Sequence, residues 1–362
     1  MAYTTINKPS LYFDTQLWTG NNGNGRTFTG LNFRPDFIYN KCYNSSNYYL
    51  NMIDIVRGGT KFLATPVNSV EDTASHGQIT SWNSDGTTWA DGTNATYPRL
   101  YYNDGVGSTL GGSEYVSWNW LAGGTGVSNT AGTISSTVSA NTTSGFSIVS
   151  YTGNGAAATI GHGLGVAPKA IIVKSRSNAV DWVNYFSVLG TDKFLKLNLT
   201  DAAGTSTGVW NNTAPTSSVF SVNSSGTNND PGVTYIAYCF AEVKGFSKFG
   251  SFTGNGSDNG AFVYTGFKPA YVMMKSSSTG GAGYNWGIFD NKRLGYNVDN
   301  NDLRANLPNA EGTDNSLDLL SNGFKIRSSS GGFGGGSGVT YIYMAFAENP
   351  FVSSTFIPTT AR

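Results

Sequence analysis

Tyr151–Lys174 reads YTGNGAAATIGHGLGVAPKAIIVK, and the chain repeats it. From Thr253 it returns as TGNGSDNGAFVYTGFKPAYVMMK, and a more diverged copy starts at Thr19, TGNNGNGRTFTGLNFRPDFIYNK. Each copy has a Gly/Asn turn, a corner proline (Pro35, Pro168, Pro269), an apolar run and a closing lysine. A second signature ends each unit: GVTYIAYCFAE from Gly232, GVTYIYMAFAE from Gly338, and the diverged SEYVSWNWLAG from Ser113. The last two units are offset by 101 residues at the proline and by 106 at the closing strand, as expected for duplication of a whole domain. Solenoid repeats are shorter, roughly 20–50 residues.

The repeats predict an all-β protein of three tandem β-sandwich domains, each near the roughly 100 residues of a small sandwich. Their boundaries fall at 1–122, a diverged first unit with a lead-in, and at 145–248 and 249–351. Residues 123–144 connect the first two units, and 352–362 form an extended tail. The connector is Gly, Ser, Thr and Asn almost throughout, which suits a flexible linker. Ile134 and Val138 suit an edge strand instead. In GVTYIAYCFAE, Val233, Tyr235, Ala237, Cys239 and Ala241 share one face, and Thr234, Ile236, Tyr238, Phe240 and Glu242 the other. A strand apolar on both faces is covered on both, here by its own sandwich and by a neighbouring repeat, a loop or a partner subunit.

Lys+Arg and Asp+Glu balance at 22 each, so the formal net charge is zero. This argues against a nucleic-acid binder, which needs clustered cations to displace counterions from phosphate. It also argues against polybasic attachment to lipid. Charged residues are 12% of the chain, about half the usual quarter, so solubility rests on Ser, Thr, Asn and Gly. No secretion signal opens the chain and no apolar run reaches the ~18 residues that suggest a membrane span. The expectation is synthesis in a cytoplasm without signal-driven export and without membrane insertion.

No catalytic or cofactor motif emerges. His76 and His162 are the two histidines, too few for a His-rich metal cluster. The cysteines, Cys42 and Cys239, lie in no CxxC, and Cys239 reads as a buried apolar residue. Neither a G-x-S-x-G elbow nor a phosphate-cradling loop is present. His162, in Gly161-His162-Gly163, reads as structural. The carboxylates Asp54, Asp181, Asp290, Glu242 and Glu348 are candidates for a glycosidase pair. However, Glu242 and Glu348 are equivalent positions, and Asp54 and Asp290 precede Arg57 and Arg293 alike, so duplicated ion pairs are the simpler reading. Asn297–Asp302, NVDNND, offers oxygen ligands to Ca²⁺ but matches no EF-hand, and a polar turn is the favoured reading.

Aromatic residues in polar contexts are the remaining signal: Trp18, Trp82, Trp89, Trp182, Trp210 and Trp286. An indole beside Asn or Asp can stack on a sugar ring while neighbours bond its hydroxyls. Trp182 and Trp286 fall at matching places and read as core, which leaves Trp89 and Trp210 as candidate binding residues.

The opening MAYTTINKPSLYFDTQLWTGN, IVSYTGNG…GHGLGVAPKAIIVKSRS, LNLTDAAGTSTGVWNNTAPTSSVFSV and YIAYCFAEVKGFSKFGSFTGNG resemble a family of uncharacterised repeat proteins. These occur among the virion and tail-fibre-like genes of marine tailed phages, cyanophages in particular. The resemblance spans nearly the whole chain. It implies a phage structural protein of jelly-roll or lectin-like sandwiches and carries no catalytic motif. The first unit has lost much of the repeat wording, which suits attachment to the particle.

The expectation is therefore a non-enzymatic, cofactor-free virion protein, assembled in the host cytoplasm and exposed on the particle. It would be a tail-fibre or receptor-binding component contacting host surface glycans, alongside other virion proteins and as a homo-oligomer, with a trimer favoured. Capsid decoration, or another purely structural role, is the alternative, and a glycan depolymerase a third reading.

Overall fold

What covers each face of the closing strands organises the molecule. The computed structural model describes all residues except 1–3, 47, 105–111, 294–296, 298–300, 315 and 354–362. In strand Thr234–Phe240, Tyr235, Ala237 and Cys239 enter one apolar cluster, while Ile236, Tyr238 and Phe240 enter another. Strand Thr340–Pro350 divides the same way, with Tyr343 and Ala345 on one side and Ile342, Met344 and Phe346 on the other. Two buried faces are why these stretches are apolar without alternation.

The regular structure of the described residues is almost wholly β, with antiparallel sheets, one short α-helix, Thr207–Trp210, and two 3₁₀ turns, Pro9–Leu11 and Gly331–Phe333. Each of three large sheets has the same centre: a closing strand inserted between an opening strand and a corner strand. These are Phe13–Thr19, Glu114–Trp120 and Phe37–Cys42 in the first, Phe146–Thr152, Thr234–Phe240 and Ala170–Ser175 in the second, and Ser247–Thr253, Thr340–Pro350 and Phe267–Ser276 in the third. The register matches as well, pairing Phe37 with Trp120, Ala170 with Phe240 and Tyr271 with Phe346. A smaller sheet packs on each large one across a separate apolar cluster, a β-sandwich-like arrangement.

The outward faces of the three large sheets meet in one core. At its centre Trp120, Phe240 and Phe346, the same position of three closing strands, touch pairwise. Their ring centroids lie 6.3, 5.4 and 5.9 Å apart. Around this triangle the sheets clasp one another in a cycle. Glu71 N–H donates to Arg176 O at 2.9 Å, Ala203 N–H to Ser277 O at 2.9 Å, and Glu311 N–H to Tyr43 O at 2.7 Å. The three closing lysines, buried, repeat the cycle. Lys174 Nζ donates to Asn68 O at 3.2 Å, Lys275 Nζ to Thr200 O at 3.1 Å, and Lys41 Nζ to Pro308 O at 2.9 Å. The third contact joins the last repeat to the first, so the ring closes.

The ring also settles the duplicated acids. Asp54 pairs with Arg57 at 2.5 Å and Asp290 with Arg293 at 2.7 Å, all four side chains out of solvent. Each carboxylate accepts one further bond from the adjacent sheet, Tyr238 Oη–H to Asp54 at 2.9 Å and Trp118 Nε1–H to Asp290 at 3.2 Å. At the third interface the matching positions are Phe186 and Met344, both in the shared core. Two of the three joints are thus polar and one is apolar.

The stretch read as a connector is structured. Val127–Asn129 and Ser136–Asn141 extend the second large sheet, and Ile134 bridges to Ile160. Buried Ile134 and Val138 supply the apolar contact that a free linker lacks. Of the tail, 354–362 lies outside the described residues.

Candidate functional site

The aromatic candidates do not form a binding face. Trp89 is 3% exposed, its indole stacked on Tyr102 and bonded to Thr87 Oγ1; Trp210 is 2% exposed on the short helix, edge-on to Tyr185. Both rings are packed in apolar clusters, Trp89 on the inner side of its strand and Trp210 on the inner side of the short helix, so neither offers the ring face that the expected binding role needs. Trp182 and Trp286 are buried too, and their Nε1 groups donate across the ring to Ala64 O and Lys196 O. Trp18 and Trp82 are half-buried. The exposed rings are instead Tyr49, Tyr97, Phe262 and Tyr264, among the described residues.

The acidic candidates are dispersed. Asp181 pairs with Lys196 at 2.9 Å, Glu242 with Lys248 at 2.8 Å and Glu348 with Lys268 at 3.0 Å. His162 is fully buried. Its Nδ1 accepts Leu164 N–H at 3.2 Å, which leaves Nε2–H to donate to Thr216 O at 3.1 Å, a structural tautomer. Both cysteines are buried and unpaired, and burial raises both thiol pKa values, to about 11 for Cys42. Of NVDNND, 298–300 lie outside the described residues. Asn301 is bonded to Glu311, and Asp302 is committed to Arg304. No group of three metal-ligating side chains occurs among the described residues, and no helix there is long and apolar enough to cross a membrane.

What the structure does bring together is a cleft of about 490 Å³ in the third repeat. Three loops meet there: Gly283 and Asn285 before a strand of the large sheet, Asp314 and Ser316 before the small sheet, and the run 327–333 after it. Asn285 and Ser316, 7% and 2% exposed, line it together with the buried ring of Phe333. Asn285 Oδ1 accepts from Asn306 Nδ2 at 2.7 Å, which turns its own amide donor away from that bond. The Arg304 guanidinium lies over Phe333, 5.4 Å from the centroid, held by Asp302 at 3.0 Å and Asp314 at 3.4 Å. Arg327 is tied to Asp318 at 2.5 Å. Asp258 accepts Ser329 N–H through one oxygen at 2.7 Å.

Asp302 is fully buried, and that burial raises its carboxyl pKa despite Arg304. A side chain at Gly312 would meet its Oδ1 at 2.4 Å, so glycine there lets the loop close over the pair. In the second repeat the positions of Asn285 and Arg304 are held by Asp181 and Lys196, which pair directly. The sequence signal that could have located the cleft is this departure between copies: an Asp–Lys pair becomes Asn and Arg.

The structure thus shows a part-apolar hollow lined by fixed donors and acceptors and built by loops on a β-sandwich-like frame. A family model described as a domain of unknown function, DUF7483, matches residues 8–350, and the chain belongs to that family. No curated protein and no solved structure matches it.

Proposed function

We propose that this chain is a non-enzymatic bacteriophage virion protein of three tandem β-sandwich domains, jelly-roll or lectin-like. In this reading it is a tail-fibre or receptor-binding component whose third domain contacts host surface glycans. The cleft carries the glycan reading: Phe333, Asn285, Ser316 and two anchored arginines join an apolar wall to fixed polar groups, the combination that orients a small polar ligand. The resemblance to phage tail-fibre-like proteins supports the virion setting, and the closed ring supplies a rigid mount.

The trimer expected from the doubly apolar strands loses that motive, because the other repeats of the same chain cover those faces. Contact with other virion proteins then falls to the outer surface.

Immunogold labelling of intact particles, followed by a glycan array with purified protein, tests the reading. Gold at tail or fibre tips with saturable glycan binding is the expected result. Gold spread over the head with an empty array favours the second reading, a decoration or building-block protein, which the burial of four of the six candidate tryptophans favours. Release of reducing ends from a bound polysaccharide would instead make it a depolymerase.

A further inference from the structure

We infer that the cleft selects uncharged, polyhydroxylated sugar rings over acidic ones, because its cations are already neutralised while carboxylate oxygens remain free in it. This rests on the glycan reading above. The lining carries two guanidiniums, Arg304 and Arg327, and two carboxylates, Asp258 and Asp314. Behind them Asp302 and Asp318 add two more carboxylates, each within 3.0 Å of one of those arginines. The ensemble therefore carries more negative than positive charge.

The geometry sharpens the balance. Arg304 Nε faces Asp302 and its Nη2 faces Asp314, so the group an anion would grip two-pronged is taken. Arg327 gives its Nε to Asp318, which balances its charge, and its two Nη groups remain as donors for a hydroxyl. Asp258 uses one oxygen for Ser329 N–H and Asp314 one for Arg304; the second oxygen of each has no partner among the described residues. A sugar hydroxyl donates and accepts and can satisfy both kinds of group. A carboxylate or phosphate only accepts, and it would face those oxygens as like charges. Such a juxtaposition of like charges disfavours the acidic ligand.

Asp258 and Asp314 set the selectivity, while Arg304 shapes the hollow, its flat group lying on Phe333 and its charge balanced by Asp302 and Asp314. In the second repeat Lys196 and Asp181 occupy the positions of Arg304 and Asn285 as a closed pair, which leaves no free amide at that place. The inference therefore assigns binding to the third repeat and not to the second.

Saturation-transfer NMR of the full chain tests this with methyl glycosides of glucose, galactose and mannose against glucuronic acid at equal concentration. At least one neutral glycoside is expected to bind about tenfold more tightly than glucuronate, a factor equivalent to 1.4 kcal/mol. The double variant Asp258→Asn/Asp314→Asn, at two exposed loop positions, should narrow that ratio. Asp314→Trp, which plugs the mouth, should abolish binding. Glucuronate binding as well as the neutral sugars, and lost on Asp314→Trp, would overturn the selectivity while leaving the glycan reading intact. Silence from all probes here and on the array would overturn the glycan reading itself, and binding that survives Asp314→Trp would overturn the assignment to this cleft.

Discussion

Removing one ring from the centre of the ring of repeats tests whether the three repeats share stability. Phe240 lies 4.8 Å from Phe146, 6.3 Å from Trp120, 6.3 Å from Phe249 and 5.9 Å from Phe346, partners drawn from all three large sheets. Phe→Ala in a core costs about 3–5 kcal/mol, and each aromatic contact adds about 0.5–1.5 kcal/mol beyond area. Backbones on three sides are held by clasps, so the cavity collapses little and a loss of about 4 kcal/mol is expected for Phe240→Ala. With an unfolding entropy of about 2 cal/mol/K per residue, a cooperative chain of this length loses about 5 °C in Tm. Calorimetry and far-UV circular dichroism read the transition, with Phe324→Ala, in the separate cluster of the third repeat, as control. Each variant should displace one transition of the whole molecule. If part of the signal in Phe240→Ala melts at the parental temperature, the repeats are independent and the shared-core argument is wrong.

Arg57→Met leaves Asp54 buried without its ion pair, and Arg293→Met does the same to Asp290; each should cost about 3–5 kcal/mol by denaturant midpoint. A loss below 1 kcal/mol for both would mean that water reaches these carboxylates. Burial lowers Lys174 and Lys275 to about 8 and Lys41 to about 7, from 10.5 in an unfolded chain. Since the folded values are the lower ones, the unfolded chain binds more protons between the two. Stability therefore rises with pH from 7 to 9.5, by about 2 kcal/mol each for Lys174 and Lys275 and about 3 kcal/mol for Lys41. Lys174→Met should remove its share of that rise, and an unchanged slope would show that the carbonyl acceptors hold the ammonium charged. Above about pH 10 the gain reverses, because burial keeps tyrosines such as Tyr235 and Tyr343 protonated to about 12 in the folded state.

The duplicated wording fixed in advance which strands exist and that both faces of the closing strands are covered, because a two-residue period and buried faces are local properties of a strand. It also marked Asp54–Arg57 and Asp290–Arg293 as ion pairs, since acid and arginine recur together in two copies. Nothing local says what covers the second face. Trp120, Phe240 and Phe346 stand at the same repeat position yet are more than a hundred residues apart, and only the three-dimensional packing makes them touch. The burial of Trp89 and Trp210 is hidden for the same reason: polar neighbours in sequence do not reveal which side of a strand or of a short helix faces the core. The cleft escaped the sequence because three distant loops of Gly, Ser, Asn and Asp build it. Sequence alone determined the β-repeat and the two-sided burial of its closing strands, which follow from side-chain alternation. The closed ring and the cleft belong to tertiary structure, because both consist of contacts between residues that the chain itself keeps far apart.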